Sequence, residues 1–158
     1  DFFPEFKGYD GKALTLRHLL TMSAGVDFDE AYNSPFSPTT QLYYGDDLQE
    51  IAFGMKEIDE PGVNFIYQSG VTQLLGFIVE KATGEKLSDY VSRKLWTPMH
   101  AEESALWSLD RKDGMEKAYC CFNSLACSRI RVISAEVCGY GFLAVFHIVH
   151  SFVNSSYR

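Results

Sequence analysis

Ser69-Gly70-Val71-Thr72-Gln73-Leu74-Leu75-Gly76-Phe77-Ile78-Val79-Glu80-Lys81-Ala82-Thr83-Gly84 carries the strongest periodicity in the chain. Val71, Leu74, Leu75, Ile78, Val79 and Ala82 recur at helical spacing, Ser69 suits an N-cap and Gly84 a stop, so a helix is predicted from Ser69 to about Thr83. Just before it, Pro61-Gly62-Val63-Asn64-Phe65-Ile66-Tyr67 reads as a turn and a brief extended segment that delivers Tyr67 and Ser69 to the mouth of that helix. Just after it, a second helix is predicted from about Leu87 to Leu95, burying Leu87, Tyr90, Val91 and Leu95 before Thr97-Pro98 ends it.

Further toward the N-terminus, Thr15 suits an N-cap, Leu16, Leu19 and Leu20 form an apolar stripe, and Gly25 suits the left-handed position past a helix end. A short buried helix is expected there. His18, alone among leucines, is expected to be a hydrogen-bonded packing residue and not a base. Residues 26 to 45 mix Asp, Asn, Pro, Ser and Gly with aromatics and read as a surface loop, in which Phe36, Tyr43 and Tyr44 either pin the loop or line a cleft. Asp46 to Met55 reads as another short helix. Trp107 and Leu109 alternate as on a strand, Asp113-Gly114 signals a turn, and Trp96 and Trp107 read as packing anchors.

At 158 residues and 46% hydrophobic content the chain is sized for one domain with a core. Fourteen Lys and Arg against 21 Asp and Glu give a net charge of −7 without a local basic patch, which argues against nucleic acid as a partner. Cys120, Cys121, Cys127 and Cys138 contain no C-x-x-C pair, so neither a metal site nor a disulfide framework is expected; adjacent Cys120 and Cys121 would face opposite ways on a strand. The apolar run Cys138 to Val149 falls short of the roughly 18 uninterrupted residues a membrane helix needs. Asp1-Phe2-Phe3-Pro4 resembles neither a signal peptide nor an initiator region, and the expectation is that the chain starts inside a longer one.

Five motifs in order, Leu14-Thr15-Leu16-Arg17-His18-Leu19-Leu20-Thr21-Met22-Ser23-Ala24-Gly25, Pro61-Gly62 leading to Tyr67-Gln68-Ser69-Gly70, Gln73-Leu74-Leu75-Gly76, Lys81-Ala82-Thr83-Gly84 and Leu95-Trp96-Thr97-Pro98-Met99, resemble the serine hydrolases related to class C β-lactamases. The resemblance covers residues 1 to about 125 and is strongest to the branch of 6-aminohexanoate-dimer hydrolases and esterases, since the third residue of the tyrosine motif is Ser69 and not Asn. It implies an α/β (α+β) serine β-lactamase-like fold, present here in part: mostly the helical portion, with the central antiparallel sheet largely missing. It also implies that Tyr67 shuttles a proton and that Ser69 hydrogen-bonds a lysine or the substrate. Read from the residues alone, Tyr67 would be a half-buried aromatic at a strand end and Ser69 a helix cap. His100 stands where such relatives commonly have Gly, and a left-handed turn is tolerated there at modest cost.

A serine hydroxyl needs a base to take its proton and donors to hold the oxyanion. The family's Ser-x-x-Lys nucleophile motif and its Lys-Thr-Gly or His-x-Gly strand do not occur in the sequence, nor does Gly-x-Ser-x-Gly. The expectation is therefore a fragment of an enzyme that cleaves ester or amide bonds through an acyl-enzyme, inert alone, acting when intact on a small-molecule or peptide-like substrate without cofactor or metal. By analogy its setting is periplasmic, cell-envelope or secreted. The alternative is a non-catalytic binding module with a penicillin-binding-like groove near Tyr67, Trp107 and residues 32 to 44; a third reading is a chain that is no functional unit and exposes core surface. The pattern breaks after Asn123-Ser124-Leu125-Ala126, so the chain divides into a β-lactamase-related part, 1–125, and a divergent tail, 126–158, expected to be translated out of frame.

Overall fold

A computed structural model describes residues 3–4, 6–101 and 103–124. The tail 126–158, with Cys127, Cys138 and the apolar run, lies outside the described residues. Helices dominate: α1 (Leu16–Leu20), α2 (Pro38–Tyr44), α3 (Leu48–Phe53), α4 (Ser69–Thr83) and α5 (Leu87–Val91), which runs on into a π-helical turn, Ser92–Trp96. Two short strands, β1 (Leu106–Trp107) and β2 (Phe122–Asn123), pair antiparallel with Leu106 opposite Asn123 and Trp107 opposite Phe122.

α4 is the axis of the molecule. Each residue from Ser69 to Val79 is buried, and α1, α2, α3 and α5 all pack on it. A helix buried on all sides must let neighbours in where it has no side chain: a Cβ at Gly70 would lie 2.6 Å from the Phe28 ring, and one at Gly76 would lie 2.7 Å from the Ala118 methyl. Gly84 ends the helix in a left-handed conformation, as its position predicts.

The second helix, predicted to Leu95, buries Leu87, Tyr90 and Val91, but its last turn widens to π geometry. Asp46 to Met55 holds α3, with Asp47 as its cap. Thr15 caps α1, and His18 completes a capping box, its Nδ1 accepting from the Thr15 N–H at 3.3 Å. His18 is thus a helix-end residue. His100 adopts the expected left-handed conformation, at φ +52°.

Four local expectations are corrected. The stretch 26 to 45 is not loop throughout: Ser37 caps α2 and Pro38 opens it, but Thr39, Thr40, Tyr43 and Tyr44 are weak helix formers that hide the signal. Gly25 does not cap α1. Met22 takes the left-handed position after that helix, while Gly25, at φ +69°, accepts from the N–H groups of Ile58 and Asp59 in a place where a side chain would collide with the Asp59 carbonyl. Ser69 is the first residue of α4, and Gln68 precedes it as N-cap. Cys120 and Cys121 are joined in a vicinal disulfide: Cys121, at φ +67°, leaves the extended backbone on which adjacent side chains diverge.

Residues 116–119 are tied to the helices by polar bonds. Gln73 on α4 donates to the Glu116 carbonyl at 3.1 Å and accepts from the Ala118 N–H at 2.9 Å. Lys117 Nζ donates to the Tyr43 carbonyl at 2.6 Å, and the Tyr119 hydroxyl donates to the Leu42 carbonyl at 2.7 Å. Trp107 and Trp96 both pack edge-on against Phe122, and the Trp107 indole N–H is shared between the carbonyls of Lys117 and Cys120.

Candidate active site

The Tyr67-Gln68-Ser69 segment is built by its middle residue. Gln68 is extended at φ −145°, so Tyr67 and Ser69 leave the backbone toward the same side, while the buried Gln68 amide donates to the carbonyls of Val26 at 2.9 Å and Phe28 at 3.0 Å. That anchor also fixes the chain just ahead of Glu30. Glu30 closes on the start of α4: its Oε2 accepts from the Ser69 N–H at 2.9 Å and its Oε1 from the Ser69 hydroxyl at 2.5 Å. The Tyr32 hydroxyl donates to the same Oε1 at 3.0 Å.

Tyr67 is 42% exposed, so its ring borders open space. Burial of the phenol and the negative charge of Glu30 push the Tyr67 pKa above the ordinary tyrosine value, and the Ser69 hydrogen bond opposes them. Tyr32 is pushed up to about 12, by burial and then by Glu30. Tyr43 is raised by burial and by its proximity to Tyr67 and Glu30. The phenols around Glu30 are therefore neutral at ordinary pH.

Of the aromatic residues of 32 to 44, Tyr43 joins this cluster through edge-on contacts with Tyr32 and Tyr119, at centroid distances of 6.1 and 5.2 Å. Phe36 and Tyr44 are exposed, and Trp107 is engaged with β2 and residues 117–120. A cleft of about 540 Å³ is lined by Asp27, Gln41, Asp46, Asp47, Glu50 and Lys56 among others, and does not include Tyr67 or Ser69. Among the described residues no group of three or more His, Cys, Asp or Glu could hold a metal ion, and no helix is long and apolar enough to cross a membrane.

Sequence reasoning missed Glu30, and took Tyr32 only as part of the stretch 32 to 44. Glu30 is one of 21 acidic residues and meets a partner 39 positions away, so no local pattern marks it.

Residues 1–116 match the sequence model of the β-lactamase family, and the chain belongs to that family. The fold agrees: 27 chains of known structure match. One is a putative 6-aminohexanoate-dimer hydrolase from Bacillus anthracis, 24% identical, at a TM-score of 0.70 over 89% of this chain. The chain spans 41% of that structure's length. No curated protein matches it.

Proposed function

We propose that the chain supplies the Tyr-x-Ser corner of a serine hydrolase whose intact form cleaves an ester or amide bond through an acyl-enzyme, and that alone it is inert. The observation carrying this reading is an exposed Tyr67 two residues before the buried Ser69, which Glu30 holds at the start of α4, in a member of the β-lactamase family. In such an enzyme Tyr67 moves the proton between the nucleophilic serine and the leaving group, and Ser69 hydrogen-bonds the lysine or the substrate. Here burial and Glu30 hold Tyr67 neutral; the ammonium of a Ser-x-x-Lys lysine beside it would act in the opposite direction. Residues 1–125 form the β-lactamase-related part and 126–158 a tail read out of frame. The substrate is a small ester, amide or peptide-like molecule, and no cofactor is required.

Sequencing the locus on both sides in all frames, then expressing the reconstructed enzyme, tests this. The expected result is a Ser-x-x-Lys upstream, a Lys-Thr-Gly or His-x-Gly downstream, and turnover of a p-nitrophenyl ester or nitrocefin that falls about 10²- to 10⁴-fold in Tyr67→Phe. Turnover by the chain itself, abolished by Tyr67→Phe, would overturn its inertness. Genuine chain ends with saturable ligand binding and no turnover would overturn the hydrolase reading.

A further inference from the structure

Glu80 of α4 and Glu116 meet at the start of α5. The Leu87 N–H donates to Glu80 Oε1 at 3.2 Å and the Ser88 N–H to Glu116 Oε1 at 3.1 Å. Consecutive residues stand about 3.8 Å apart at their Cα atoms, and the first N–H groups of a helix point together out of its N-terminal end. Acceptors on both amides are therefore neighbours. Glu116 is 3% exposed, and its second oxygen, Oε2, is buried without a hydrogen-bond partner among the described residues. An unpaired buried oxygen is costly, and so are two ionised carboxylates side by side away from water. One proton between them removes both costs.

We propose that Glu80 and Glu116 form a proton-held clasp: one proton lying between Glu80 and Glu116 Oε2 fastens residues 116–119 onto α4 and α5, and its departure as pH rises loosens that segment. The proton has a way out to water or hydroxide, since Glu80 lines an open cleft of about 430 Å³ whose lining does not include Glu116. Two like charges then remain on adjacent amides. Burial, with Glu116 adding to it, raises Glu80 to about 7, so the change falls near neutrality. The other charged groups here are Glu85 and Lys86 after α4, Arg111 and Asp113 on the cleft, and the exposed Asp89 on α5. Glu85 is paired with Arg93 and Arg111 with Asp47, and Lys86 opposes the shift only in part. Glu116 begins the stretch that Gln73 ties to α4 and that Lys117 and Tyr119 tie to the carbonyls of Tyr43 and Leu42 on α2. What loosens there also loosens one wall of the tyrosine cluster. None of this needs Tyr67 or Ser69 to be catalytic.

The test is amide hydrogen exchange of the chain, read by mass spectrometry from pH 5 to 9 and corrected for the pH dependence of exchange itself. Peptides spanning 116–119 are expected to lose protection about tenfold or more across neutrality, while those of 71–79 in α4 keep theirs. In Glu80→Gln the amide offers Glu116 a permanent hydrogen and keeps an oxygen for the Leu87 N–H, so protection should stay level. In Glu116→Gln the loss should also disappear, because an ionised Glu80 then faces an amide donor in place of a like charge. Level protection in the natural chain, a loss shared equally by 71–79, or a loss that persists in Glu116→Gln would overturn the clasp. Should either variant fail to fold, carbon-13 carboxyl titration of the natural chain carries the test: the pair should titrate in two well-separated steps, and a single step in the ordinary carboxylate range would overturn it.

Discussion

Gln73 is 1% exposed, and both ends of its amide are satisfied by the backbone of residues 116–118. Replacing it with leucine conserves volume but strands a buried N–H and a buried carbonyl, each costing about 1–3 kcal/mol. Chemical denaturation should therefore show Gln73→Leu less stable by about 2 kcal/mol or more. Its burial is not legible from position: in the sequence Gln73 is one polar residue in a helical repeat, and only the chain 43 residues later explains it. Glu30 is hidden for the same reason. Tyr67 and Ser69 are carried by a local motif, whereas the anchor of Gln68 between them, carbonyls 40 and 42 residues away, is marked by no local pattern. Cys120 and Cys121 were misread because strand alternation was assumed where the backbone turns left-handed. Iodoacetamide should accordingly leave both unmodified without a reductant and alkylate both with one, as located by peptide mass. Reduction should also change Trp107 fluorescence, since its indole N–H bonds the Cys120 carbonyl.

At the scale of elements, α5 is capped by other parts of the chain. Lys86 at its N-cap makes no side-chain bond; instead the Leu87 N–H donates to Glu80 of α4 at 3.2 Å and the Ser88 N–H to Glu116 at 3.1 Å. Two carboxyl groups thus converge on adjacent amides, with Glu116 only 3% exposed. Burial first, and then the neighbouring Glu116, push Glu80 from its ordinary 4.5 up to about 7, against the hydrogen bond from the Leu87 N–H and a smaller opposing effect of Lys86. The folded state consequently holds a proton that the unfolded chain releases. The stability this group contributes is complete below about pH 4.5 and is lost as pH rises to about 7. Thermal melts across that window should fall more steeply for the natural sequence than for Glu80→Gln. The helices themselves were largely legible, since α3, α4 and α5 carry periodic apolar residues and stops. α2 was not, because its cap is clear but its residues favour helix weakly; Trp107, read as strand, lies in β1 with Leu109 in a bridge to Glu116, while β2 is too short to show alternation.

Taken whole, the molecule is a helical body around α4 with one edge left apolar and open: Val63, Phe65 and Ile66, leading to Tyr67, are all exposed. Dyes that fluoresce on exposed apolar surface should bind here, and Val63→Ser with Phe65→Ser should reduce that signal while leaving the melt nearly unchanged, because neither side chain is part of the core. Little of this was legible in the sequence, where the segment is simply a turn and a short extended run; exposure is a property of what packs elsewhere.

The segment 63–67 is also a connector between two interlocked halves. Residues 64–67 lie in neither helix nor strand and Phe65 is 74% exposed, which opens the chain there to a protease with a taste for aromatic residues. On one side of it lie α1, α2 and α3, and on the other α4, against which all three are packed. Brief chymotrypsin treatment should nick the chain after Phe65, and the two pieces should still elute as one particle from a sizing column, held by α4 seated among helices to which it is no longer covalently joined.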